Sequence, residues 1–345
     1  MKLSVLDLVP VRSNQSTSDA VAAAVGLAQA ADRLGFERYW VAEHHNMPAV
    51  AATSPPVLIA HLAAHTHRIR LGSGGVMLPN HAPLAVAEQF ALLEAAHPGR
   101  IDLGIGRAPG SDPVTSWALR SGAGRGQEDI LKFPQYLDDL MEMMGERGYT
   151  VPISGKNYTL KATPNARSVP QMWLLGSSAY SSHLAADKGL PYVFAHHFSG
   201  EGTAQALATY RAEFRPSQWC EKPTTFLTAN VVVADTEQEA LELALPNQQN
   251  MARLVTGMPM GPVDLVEDAL ALDLGPGLDG IVQKGLARMV VGTPEQAHKK
   301  LSALAAEFDV DEVMVHPVAS ARRDEDPRTT AGRVRTLELL AEAFN

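Results

Sequence analysis

An acid and two imidazoles stand together as Glu43-His44-His45, directly after the run Tyr39-Trp40-Val41-Ala42. Aromatic and β-branched residues of that kind suit a short buried strand, so the ionisable triplet falls where the strand stops. Groups of this type in such a place move protons: an imidazole titrates near neutrality and works in either direction, with a carboxylate at hand to orient it. The competing reading is structural, with one histidine packed and the other solvated. Neighbours on a strand point to opposite faces, so His44 and His45 do not easily clasp one metal ion, and His196-His197 meet the same objection. His61 and His65 have the spacing of a zinc pair, but Leu62-Ala63-Ala64 between them lack a metalloprotease glutamate. With His67 and Arg68 they suit the C-terminus of a helix, whose dipole favours cations. No metal site is expected.

Three further places could hold a ligand. Gly74-Gly75 ends an apolar stretch, where missing side chains either let the backbone lie against a planar molecule or mark a bulge. Arg107 follows another apolar run and can hold an anionic ring or a phosphate through its fork, unless a loop acid such as Asp112 takes it. Ser177, Ser178 and Ser181 surround the start of a helix; one serine suffices for an N-cap, so the cluster points to anion binding. Gly104, Gly106 and Gly110 imitate a dinucleotide fingerprint, but Pro109 and Pro113 break the helix that should receive a pyrophosphate.

These residues need a scaffold that brings strand ends to one face. Strands are expected at residues 3–9, 39–45, 69–76, 100–106, 171–176, 191–195, 226–234 and 312–315. Helices follow them, opening at Ser18-Asp19 and stopped by Gly35, at Ser54-Pro55-Pro56, at Pro83, and over residues 127–145, 179–188 and 203–214. Further helices open at Asp235-Thr236-Glu237 and Thr293-Pro294, and a last one covers residues 328–344. Eight strand–helix pairs imply parallel strands with right-handed crossovers, an α/β chain folded as a single (β/α)₈ barrel over residues 1–345. A doubly wound sheet is the rival. Residues 108–126, 149–167 and 256–285 read as irregular insertions over the C-terminal rim.

With 46% hydrophobic and 19% charged residues, the composition is that of an ordinary soluble globule. A net charge of −9 argues against nucleic acid or an anionic membrane as partner. Cys220 is the single cysteine, which excludes an intramolecular disulfide and fits a reducing compartment. The N-terminal apolar run is interrupted by Asp7 and Pro10, unlike a signal peptide, and no segment is long enough to span a bilayer. A cytoplasmic location is expected.

The segments YWVAEHHN, GSGGVMLPNHAP, RIDLGIGRAPGSD, MWLLGSSAYSSHLAADKGLPYVFAHHF and VGTPEQA resemble, in order and spacing, the bacterial luciferase-like flavin-dependent monooxygenases. The likeness is greatest to the single-chain oxidoreductases that lack a luciferase β subunit. It implies a (β/α)₈ barrel using reduced FMN, supplied by a separate flavin reductase. The reduced flavin would react with O2 at its C4a carbon and pass one oxygen to a small organic substrate, under lids that keep water out. By position, His44 matches the family's catalytic histidine, with Glu43 and His45 beside it. Gly74-Gly75 fall at a non-prolyl cis peptide beneath the isoalloxazine, and Arg107 at a flavin- or phosphate-contacting arginine. Leu175 joins the cofactor-binding set with Ser177, Ser178 and Ser181, which match the phosphate turn, although luciferase has an acid in place of Ser177. His196 stands where luciferase has a tryptophan, which points away from light emission and a long-chain aldehyde. Residues 256–285 correspond to the mobile lid, and a homodimer is implied. The alternatives are hydride transfer with the deazaflavin F420, a flavin-binding protein without turnover and, more remotely, a metal-dependent barrel hydrolase.

Overall fold

The computed structural model describes residues 1–108, 112–121, 130–258 and 260–345. The strands are β1 (Lys2–Asp7), β2 (Arg38–Val41), β3 (Arg70–Ser73), β4 (Val76–Met77), β5 (Ile101–Gly106), β6 (Tyr149–Ile153), β7 (Lys156–Leu160), β8 (Gln171–Gly176), β9 (Tyr192–Phe194), β10 (Thr225–Val233), β11 (Val290–Gly292) and β12 (Glu312–Pro317). Parallel pairing runs β1-β2-β3-β5-β8-β9-β10-β12 and returns to β1, which closes an eight-stranded barrel. Each of these strands matches one expected from the sequence. β4 resumes the line of β3 after Gly74-Gly75 and pairs Val76 with Ile105 of β5. β11 lies outside the ring against β10 and was not foreseen.

The surrounding helices are α1 (Thr17–Leu34), α2 (Pro55–Ala63), α3 (Pro83–Ala96), α4 (Pro113–Ser121), α5 (Phe133–Met144), α6 (Ala179–Lys188), α7 (Thr203–Glu213), α8 (Glu237–Val255), α9 (Val266–Ala271), α10 (Gly275–Arg288), α11 (Pro294–Phe308) and α12 (Ala331–Phe344). Local chemistry sets many of their ends. Ser16 and Asp19 form a capping box that starts α1, and Gly35 stops it in the left-handed conformation at φ 80°. Thr293 and Gln296 form a second box at the head of α11.

The expected rim insertions are more ordered than their composition implies. Part of 108–126 is helix α4, while residues 122–129, which include the expected start at Gln127, lie outside the described residues. Residues 149–160 form an antiparallel hairpin turning at Ser154-Gly155, both with positive φ. Its strands are largely exposed, so the burial alternation that announces a strand is missing. Residues 256–285 contain α9 and most of α10, whose glycines and proline disguise helical periodicity. Among the described residues, no helix is long and apolar enough to cross a membrane.

The barrel interior is layered, because only alternate residues of a strand point inward. At the bottom, Arg38 donates to Asp102 at 2.8 Å and to Glu312 at 2.7 Å, while Ser4 donates to Glu312. Above it lies an apolar plug of Leu6, Trp40, Trp173, Val193, Phe226 and Met314. Its aromatic rings meet at centroid distances of 5.0–5.6 Å. Ion pairs and plug fill the lower barrel, and the space for a ligand lies above them at the C-terminal mouth.

Candidate active site

The mouth holds a cavity resting on Leu6, Trp40, Val193 and Met314 of that plug. One wall is Gly74-Gly75, whose peptide bond is cis. A β-carbon on Gly75 would lie 2.8 Å from the Gly104 carbonyl oxygen, and one on Gly74 2.9 Å from Leu6 Cδ1. The backbone itself thus faces the cavity, with no room for side chains between the strands. Gly104, half of the imitation fingerprint, serves the same packing: its own β-carbon would strike the Ser73 carbonyl. Gly110 lies outside the described residues.

His44 lines the cavity, and its Nδ1 is buried without a hydrogen-bond partner. Burial lowers its pKa below the ordinary imidazole value; Glu43 pulls the other way and His45 adds to the lowering. At neutral pH the ring is therefore neutral, below the near-neutral titration expected from the sequence. Glu43 does not line the cavity. It is buried behind the strand end, where its carboxylate accepts from His45 Nε2 at 2.8 Å, His81 Nε2 at 2.8 Å and the Met77 N–H at 3.0 Å. Burial opposes its charge, but these donors outweigh it and bring the carboxyl down to about 2. A carboxylate accepts only, so both imidazoles donate to it from Nε2. His45 also stays off the cavity wall. The triplet divides its work: His44 faces the ligand space, and Glu43 behind it gathers His45, His81 and the Met77 backbone.

Across the mouth, Arg107, Ser177, Ser178 and Ser181 line the same cavity, with Leu175 beside them. The Arg107 guanidinium stacks 4.2 Å from the Tyr180 ring centroid. Asp112 instead accepts from the N–H groups of Val114 and Thr115 at the head of α4. Ser178 occupies the N-cap of α6 without making a side-chain capping bond, and Ser177 is exposed beside it. Ser181 turns inward, donating to the Ser178 carbonyl at 2.7 Å and pairing with the Tyr192 hydroxyl at 3.0 Å. The turn is thus braced by Ser181, while Ser177, Ser178 and the first N–H groups of α6 remain for an anion.

The model of the family described as luciferase-like monooxygenase matches residues 1–312. The chain belongs to that family. A luciferase-like monooxygenase of Escherichia coli K12 is 40% identical over 316 residues, covering 91% of this chain and 90% of its own. The N-acetyl-S-alkylcysteine monooxygenase of Bacillus subtilis is 32% identical over 326 residues, covering 93% and 94%. The crystal structure of apo-MsnO8 superimposes with a TM-score of 0.84 at 34% identity, covering 99% of this chain and 98% of that one.

In this luciferase-like monooxygenase, the histidine of the 196–197 pair that reaches the cavity is His197. His196 lies outside it, in a neighbouring cleft, with Nδ1 2.9 Å from Thr203 Oγ1 and its ring against Phe308. Thr228 donates to the Phe194 carbonyl, so it accepts from His197 Nδ1–H at 2.9 Å, leaving Nε2 as an acceptor. Burial, with lesser contributions from His196 and His44, brings His197 down to about 4. His316, buried next to it, donates from Nδ1 to Asn230 Oδ1, and burial with His197, Arg333 and His44 around it holds it well below the ordinary value. In the sequence His197 stands out only as half of a metal pair, and His316, Thr228 and Asn230 are not singled out, although the inward alternation of β10 and β12 could have flagged those three. Among the described residues, no group of three or more histidine, cysteine or acidic side chains is placed to hold a metal ion.

Proposed function

We propose that this family member is an FMN-dependent monooxygenase that oxygenates a small organic substrate, with a separate reductase supplying the reduced flavin. The cavity suits that cofactor. Bare backbone at Gly74-Gly75 suits a flat ring. The α6 N-terminus, with Ser177, Ser178 and the stacked Arg107, suits a phosphate. The unpartnered Nδ1 of His44 suits a polar atom of a bound ring or substrate. One observation carries the reading: these three features, distant in sequence, line one cavity.

Reduced FMN, when bound, would supply the activation of dioxygen and the transfer of one of its atoms. The chain supplies the rest. His44, neutral and without a competing partner, would hold or take a proton at Nδ1. Glu43 would act as a positioning residue through the bonds that fix His45, His81 and Met77 around it. Leu175, Val193, Phe133 and Met314 would keep water from the reacting atoms.

The test is to supply FMN, a reductase with NADH, O2 and a substrate panel, and to follow product and O2 together. Wild type is expected to couple the two, and His44→Ala to lose about 10²–10⁴ in coupled rate while still binding FMN. O2 consumption without product from any substrate would favour a flavin carrier. Tight binding of F420 and none of FMN would replace oxygenation with hydride transfer.

A further inference from the structure

A second chamber adjoins the first, sharing Leu8, His197 and Phe198 with it. Two guanidiniums line it, Arg12 and Arg333, only 5% and 4% exposed. Each is anchored by part of its fork. Arg12 donates from Nη2 to the carbonyls of Pro327 at 3.1 Å and Thr329 at 3.0 Å. Arg333 donates from Nε to the Pro317 carbonyl at 2.8 Å and from Nη2 to Asp7. Among the described residues, Nη1 of neither has a protein partner, and Arg12 Nε is buried without one.

The charges do not balance within this chamber. Asp7 offsets Arg333. No described carboxylate pairs with Arg12; Glu325 and Asp326 act on it through space without lining the chamber. Among the described residues, no aspartate or glutamate lines it at all. Its other polar groups are neutral, chiefly Asn230, Asn247, Asn250 and Ser320, and much of the remaining wall is aliphatic or methionine. A buried guanidinium with no carboxylate in contact is costly, because neither distant charge replaces the hydrogen bonds it lost on leaving water, so a site that retains one is suited to a ligand that brings the anion.

We propose that this chamber binds the carboxylate of an organic acid, with Arg12 as the principal contact, Arg333 behind it, and the apolar body directed past His197 and Phe198 toward His44. A planar fork meets a carboxylate through two donors, which a point charge does not. As the substrate's place, the chamber rests on the oxygenase reading above; as a carboxylate site, it stands without it.

The test is calorimetric titration of the purified protein, with and without saturating FMN, using hexanoate and hexanamide, which share a chain and differ in charge. Hexanoate is expected to bind at least about tenfold more tightly, as loss of one charge-assisted contact implies. Arg12→Gln should abolish that preference with FMN affinity and circular dichroism unchanged, and Arg12→Lys should retain part of it. Arg107→Gln should leave the preference in place. Equal affinities in wild type, a preference surviving in folded Arg12→Gln, or one lost in Arg107→Gln would each overturn the proposal, the last by moving the anion to the serine turn. The wild-type comparison decides even where a variant fails to fold. Failure of FMN to bind would sink the oxygenase reading and leave the hexanoate comparison as the test of this site.

Discussion

At the scale of single residues, burial sets the titration of the groups around the cavity. The neutral ring of His44 dominates above its lowered pKa, so any step that needs it unprotonated should persist below pH 6.5. A pH profile of kcat/KM is therefore expected to be level from pH 8 down past 6.5 and to fall only in more acid buffer, and His44→Ala should erase that fall. A limb at or above 6.5 would contradict the environment described for His44. Glu43 gives a stability prediction with the opposite sign. Its carboxyl stands at about 2 against an ordinary 4.5, so its ionised contacts stabilise the fold above 4.5 and are lost as the pH approaches 2. The difference corresponds to about 3 kcal/mol at neutral pH. Urea denaturation of Glu43→Gln is expected to show a loss of that order at pH 7, shrinking as the pH is lowered. The sequence displayed Glu43, His44 and His45 as one cluster because strand-end chemistry is local. It could not divide their roles, since the partners that bury Glu43, His81 and the Met77 N–H, arrive from after the next strand. It likewise favoured His196 over His197, whose orientations depend on Thr203 and Thr228.

At the scale of elements, the β8–α6 turn and the Gly74-Gly75 link are where backbone does the work. Ser177→Ala with Ser178→Ala removes two hydroxyls but leaves the α6 N–H groups and the brace from Ser181, so FMN affinity should fall about tenfold without loss of fold. Adding Arg107→Gln should weaken it further, by fluorescence titration. An unchanged affinity in the triple variant would place the phosphate elsewhere. Most of these elements were legible, because glycine stops, serine and threonine caps and apolar runs of strand length are local signals. The insertions were not. The hairpin at 149–160 buries too little to show alternation, and α10 carries four glycines within its span.

At the scale of the whole molecule, the barrel separates what holds it together from what gives it chemistry. The bottom layer of Arg38, Asp102 and Glu312 lies beneath the Trp40–Trp173–Phe226 plug, and the cavity lies above it. Removing Arg38 would leave Glu312 buried with only the Ser4 hydroxyl donating to it, while Asp102 keeps Arg70 and Trp40, at an expected cost of about 3–5 kcal/mol. Arg38→Met should therefore lower the denaturation midpoint markedly, with FMN affinity of the folded fraction near that of wild type. Strand and helix order made the barrel legible from the sequence, and with it the rim as the place for chemistry. The ion pairs beneath the plug were not legible, because Arg38, Asp102 and Glu312 come from three strands far apart in the chain.

Crystals soaked with FMN test the central claim most directly. The account predicts ring density against Gly74-Gly75 within reach of His44, and phosphate density at Ser177, Ser178 and Arg107. Phosphate density beside Arg12, or a ring lying away from the glycine pair, would contradict it.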